Sequence, residues 1–113
     1  MRLAIAVVLT LLACSKDEPK KVKPPAAIPA AEVQRGRDAC KAYVEKACAC
    51  TAPAAKQQCP LAKGLPEAYE LAAGVALNPE TDPVDARRAQ VNMRETTKEC
   101  IEQTAKLPGI GCP

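Results

Sequence analysis

Between residues 32 and 106 the apolar positions recur every three or four residues, the period of a helix that buries one face. Over Glu32–Cys50 the stripe is Val33, Gly36, Cys40, Tyr43, Val44 and Ala47, with Arg35, Arg37, Asp38, Lys41, Glu45 and Lys46 mostly on the other faces. Thr51-Ala52-Pro53 ends this first helix, since the residue before a proline is pushed out of the helical region. A second region starts near Cys59. Gly64 and Pro66 interrupt it, so the pattern predicts a short turn over Pro60–Lys63 and a helix over Pro66–Leu77. The third helix has the clearest start: Asp82 as N-cap, Pro83 in the first helical position and Asp85 in the first turn, where the helix dipole favours negative charge. Ala86, Ala89, Met93, Thr97, Cys100 and Thr104 form its stripe, Glu102 and Lys106 an expected i,i+4 pair, and Pro108-Gly109 its stop. Nothing alternates with period two over a useful length. The expected fold is all-α, a three-helix domain over residues 32–113, in up-down-up order because the connections are short.

The N-terminus has a different pattern. Arg2 precedes an uncharged run from Leu3 to Leu12 in which Thr10 is the only polar residue. Ten residues suit the apolar stretch of an export signal and fall short of the roughly 20 that span a bilayer. Leu11-Leu12-Ala13-Cys14 follows. This segment resembles the lipobox of bacterial lipoprotein precursors, with leucine at −3, a small residue at −1 and cysteine at +1. The resemblance implies a signal peptide over residues 1–13, cleavage after Ala13 and a diacylglyceryl thioether on Cys14, usually with a further acyl chain on the new N-terminus. It also implies attachment to a bacterial cell membrane. Ser15 stands where aspartate would favour inner-membrane retention, which implies the periplasmic face of the outer membrane.

Residues 14–31 then read as the lipidated cysteine and a tether. Ser15 to Ala31 holds four prolines and four lysines without a helical or strand period. The tether and Arg2 carry the chain's excess of positive charge; from Glu32 onward the charges balance. The basic pI therefore points to no nucleic-acid surface, and the two tyrosines, with no Phe or Trp, supply no base-stacking platform.

Composition also bounds the core. A domain of about 80 residues, rich in alanine and lacking large aromatics, buries little apolar area and often needs covalent staples. Cys14 aside, six cysteines remain: Cys40, Cys48, Cys50, Cys59, Cys100 and Cys112. An even number in an exported chain predicts three disulfides, each supplying about 2–4 kcal/mol. If the end of helix 1, the start of helix 2 and the end of helix 3 share one pole, the preferred set is Cys40–Cys112, Cys48–Cys100 and Cys50–Cys59. The alternative set is Cys40–Cys100, Cys48–Cys59 and Cys50–Cys112.

Catalytic chemistry finds little support. There is no histidine, so the commonest general base and zinc ligand are missing. Ser15 is the only serine, and the carboxylates, including Glu67/Glu70 and Glu95/Glu99, fit solvated helix faces. Tyr43 and Tyr69 are expected to fill core space with their hydroxyls at the rim. No catalytic residue, cofactor or metal site is assigned. The expected function is a lipid-anchored interaction or structural module that meets the membrane through its anchor and an envelope protein through a helix face. The alternative is a thiol- or metal-binding lipoprotein using Cys48-Ala49-Cys50 for copper or zinc.

Overall fold

The computed structural model describes residues 22–113, so the expected signal peptide and Cys14 lie outside the described residues. The described residues form three α-helices and a short 3-10 turn, the all-α up-down-up architecture expected. Helix α1 spans Ala30–Ala49, α2 Pro53–Ala76 and α3 Pro83–Lys106, followed by the 3-10 turn Leu107–Ile110.

The third helix forms as its sequence dictates. Asp82 Oδ1 accepts a hydrogen bond from the Val84 N–H at 2.9 Å, and Pro83 occupies the first helical position. Thr97 and Thr104 lie half-buried in the stripe and return their hydroxyls to the carbonyls four residues earlier. Glu102 pairs with Lys98 rather than with Lys106.

Helix α2 differs most from the sequence reading. It is one continuous helix through Pro60 and Pro66 rather than a turn followed by a helix. Pro53 does two jobs: it excludes Ala52 from the helix and starts α2, because a first-turn proline has no N–H to lose. Each interior proline removes one backbone hydrogen bond, a cost of about 3 kcal/mol in an isolated helix. Here tertiary packing offsets it. Ala55 and Ala62 are fully buried, and a disulfide from Cys59 to Cys48 holds this half of α2 on α1.

The core has two parts. Near the pole where α1 and α3 end, Tyr43, Ala47, Ala55, Ala62 and Leu107 pack around four of the cysteines. Toward the other pole, Ile28, Val33, Tyr69, Ala73 and Met93 pack together. Tyr69 does not carry its hydroxyl to the rim. It is buried and donates to the Val33 carbonyl at 2.9 Å. Gly36 makes this possible, since a Cβ there would lie 2.5 Å from Tyr69 Cε2 and Cζ.

The end of the expected tether belongs to the domain. Ile28 is buried, and Gln90, a buried polar residue of α3, donates to the Ala26 carbonyl at 2.9 Å. Arg87 reaches the Lys23 carbonyl at 3.5 Å. Residues 22–29 therefore run along the first turns of α3, and α1 begins at Ala30 rather than Glu32.

Replacing Gly36 with Ala should destabilise the fold by about 1–3 kcal/mol, because the Tyr69 ring must leave its position or α1 must move. Urea unfolding checks this, and an unchanged midpoint would show that the two helices are not in this close approach.

Candidate functional site

The six domain cysteines meet in three pairs, and the set is the alternative one. Cys40 bonds Cys100, Cys48 bonds Cys59 and Cys50 bonds Cys112, with Cα separations of 4.9, 4.8 and 5.6 Å. The preferred set, Cys40–Cys112, Cys48–Cys100 and Cys50–Cys59, is corrected on all three bonds. Its error was to put Cys100 at the pole. Helix α3 continues six residues beyond Cys100, to Lys106, so Cys100 sits level with Cys40, about 12 Å below Cys48. Helix α2 starts six residues before Cys59, which places Cys59 beside the penultimate residue of α1. The tail stays at the pole. Gly111 adopts a left-handed conformation (φ 95°), its N–H and that of Cys112 cap the 3-10 turn, and Cys112 lands on Cys50.

The Cys48-Ala49-Cys50 motif is therefore divided between two disulfides, one to α2 and one to the tail. Among the described residues no three or more Cys, His, Asp or Glu side chains converge as they would around a metal ion. Glu67/Glu70 and Glu95/Glu99 do not form acid–base pairs. Glu70 accepts both arms of Arg37, at 2.6 and 3.1 Å, and Glu99 accepts from Gln103. Arg37 holds the Glu70 carboxyl below its ordinary range, and Arg94 does the same for Glu32 through a 2.7 Å hydrogen bond. Burial pushes the phenols of Tyr43 and Tyr69 up, so both stay neutral and act as packing groups.

Two exposed surfaces stand out among the described residues. The first is a groove of about 490 Å³ with Met93 and Tyr69 among its lining residues, apolar walls from Ile28 and Ile101, and Glu32–Arg94 bridging α1 to α3 beside it. The second is the exposed face of α2, where Ala68, Leu71 and Val75 wall a groove against Asp85, Arg88 and Asn92 of α3. Leu61 is 76% exposed and Leu71 75% exposed, and with Gly64, Ala68 and Val75 they form an uncharged stripe at alternating three- and four-residue spacing. The sequence reading missed this stripe because it broke α2 at Gly64-Leu65-Pro66. A continuous wheel through the prolines is the signal that reveals it. No described helix is long and apolar enough to cross a membrane. Comparison with protein-family models, curated proteins and solved structures finds no match to this chain.

The Arg37–Glu70 pair has a pH signature. A carboxylate whose pKa is lowered on folding contributes stability above its unfolded value of about 4.3 and loses it as pH falls through the lowered folded value. Both side chains are exposed, so the contribution is small. Glu70→Gln should therefore unfold slightly earlier than wild type in urea at neutral pH. The gap should close as pH falls below the carboxylate range. A gap that persists unchanged at low pH would show that Glu70 acts by packing.

Proposed function

We propose that this chain is a bacterial lipoprotein, anchored through Cys14 to a cell-envelope membrane, whose helical domain serves as an interaction or structural module without catalysis. The observation that carries the reading is the cysteine count. The chain has seven, and the six in the domain satisfy one another. Cys14 is the odd one, and it stands directly after the apolar run and Leu11-Leu12-Ala13. Three disulfides also suit an oxidising compartment such as the periplasm.

The docked segment refines the geometry of the anchor. Residues 22–29 lie on α3, which leaves seven residues of sequence, Ser15–Lys21, as the leash between the domain and Cys14. Fully extended, it reaches about 23–25 Å. Chain entry at the N-terminal end of α3 turns that pole toward the membrane and the Cys50–Cys112 pole away from it. Lys16, Lys20 and Lys21 are in the leash, where each lysine near an anionic surface adds about 1 kcal/mol of attraction. The placement on the periplasmic face of the outer membrane rests on Ser15. A metal-binding role for Cys48 and Cys50 requires both disulfides open, and thiol counting on the native protein separates the two readings.

The protein produced in a bacterial host should partition into the detergent phase, and its intact mass should include the diacylglyceryl group on Cys14. Cys14→Ser should move it to the aqueous phase. Wild-type protein that carries no lipid mass and stays aqueous would overturn the anchoring.

A further inference from the structure

The three disulfides differ in how far other molecules can reach them. Cys40 and Cys100 are fully buried, and Cys50 and Cys112 are 8% and 4% exposed. Cys48 is exposed and Cys59 half-buried. Their bond also closes the shortest loop, a separation of 11 residues against 60 and 62. A short loop stabilises the fold least, and by linkage the fold then protects that bond least. The helix it anchors has little else to hold its first half. No side chain caps the N-terminus of α2, and neither Pro60 nor Pro66 donates a backbone hydrogen bond. Gly64 is a further weak point, an interior helical glycine with nothing within 4 Å of where a Cβ would sit. The buried side chains of this half are Ala55 and Ala62, with Leu65 partly buried beside them. Among the described residues no ion pair reaches residues 53–66. Apart from the long contact of the Cys48 sulfur with the Cys59 carbonyl, the side-chain hydrogen bond that ties this half to another helix is Tyr43 donating to Gln58 at 3.4 Å.

We propose that Cys48–Cys59 is a site of thiol–disulfide exchange, opened by an external dithiol while the other two bonds stay closed, and that its state controls the order of the first half of α2. Cys48, the exposed partner, offers the sulfur to attack. A thiolate forms a new bond to Cys48 Sγ as the Cys48–Cys59 bond breaks, and the electron pair leaves on Cys59. The surroundings favour this direction. Cys48 lies in the last turn of α1, whose carbonyl end disfavours a negative sulfur. Lys56 and Lys63, both exposed, lie one turn before and one turn after Cys59 on α2. Their charge favours a thiolate there and makes Cys59 the better leaving group. The second thiol of the dithiol then displaces Cys48. The dithiol is oxidised to a disulfide, Cys48 and Cys59 are reduced to thiols, and the two protons of the dithiol end on them. With the bond open, residues 53–66 keep two buried alanines and Leu65 as their anchors, and they fray. Leu61 frays with them, so the reduced protein loses that end of the exposed α2 face. The switch goes beyond the anchored module proposed above: it needs neither the lipid nor a docking partner, and its failure leaves that reading standing.

The test uses the purified full chain at neutral pH, with dithiothreitol in limiting amount as the dithiol. Iodoacetamide traps each thiol as it forms, and peptide mapping locates the label. Cys48 and Cys59 should be labelled at least about tenfold faster than the other four cysteines. Reduced glutathione, stopped in acid at early times, should leave its adduct on Cys48. In protein with this pair alone opened and alkylated, amide hydrogen exchange over residues 53–66 should rise at least about tenfold, while Pro83–Lys106 keeps its protection. The Cys48→Ser/Cys59→Ser variant should show the same exchange pattern with no reductant, which separates loss of the bond from an effect of the label. Labelling that starts at either of the other pairs, or at all six cysteines together, overturns the site. A glutathione adduct on Cys59 instead of Cys48, or exchange over residues 53–66 that stays at its oxidised level in both proteins, overturns it as well.

Discussion

The bond between Cys40 and Cys100 sets the height of α3 against α1, and the rest of the geometry depends on that register. Both sulfurs belong to fully buried residues in the centre of the bundle. Cys40 lies ten residues into α1 and Cys100 seventeen into α3. Joining them drops the start of α3 about 10 Å below the start of α1. Residues 22–29 cover the part of α3 that α1 does not reach, through Ile28, Gln90 and Arg87. At the other end α3 stops about 4–5 Å short of the end of α1, and the 3-10 turn with Leu107 and the tail make up the rise to Cys50. The side chains around the bond are too small to fix this register alone. Among the described residues only Tyr43, Tyr69, Met93 and a few aliphatics stand among buried alanines and cysteines.

The covalent and non-covalent parts divide the molecule between them. All three disulfides gather in the half of the bundle away from the chain's entry, together with the buried alanines Ala47, Ala55 and Ala62. The other half has none and relies on shape: Gly36 admits the Tyr69 ring, and the ring's hydroxyl satisfies a buried carbonyl. Exposed ion pairs such as Arg37–Glu70 and Arg94–Glu32 tie α1 to its neighbours there. The α2 face carries neither kind of bond. It is held as one continuous helix by α1 and α3 behind it, which is how a helix with two interior prolines can present a stripe of exposed apolar residues.

What the sequence made legible was the part governed by local chemistry. Asp82-Pro83 announced α3, and the stripes of α1 and α3 named the buried residues Val33, Gly36, Cys40, Tyr43, Met93 and Cys100 in advance. What it hid was the part decided by tertiary contact. Pro60 and Pro66 read as breaks because their cost is local, whereas the packing of Ala55, Ala62 and Cys59 that offsets it is not. That misreading concealed the α2 stripe. The cysteine pairing failed because a sequence shows how long a helix is but not where it starts relative to its neighbour. The end of the tether failed for a related reason: Pro24, Pro25 and Pro29 have linker composition, and only the position of α3 gives Ile28 somewhere to be buried.

The most direct test of this account compares the staples by removing them one at a time. Equilibrium unfolding of the Cys40→Ala/Cys100→Ala variant should show a loss of about 4 kcal/mol, and of the Cys48→Ala/Cys59→Ala variant about 3 kcal/mol, from the lengths of the loops they close. The first loss should be the larger in measurement too, because that pair also fills the centre of the core. A Cys40→Ala/Cys100→Ala variant as stable as wild type would contradict the claim that this bond holds the register of the bundle.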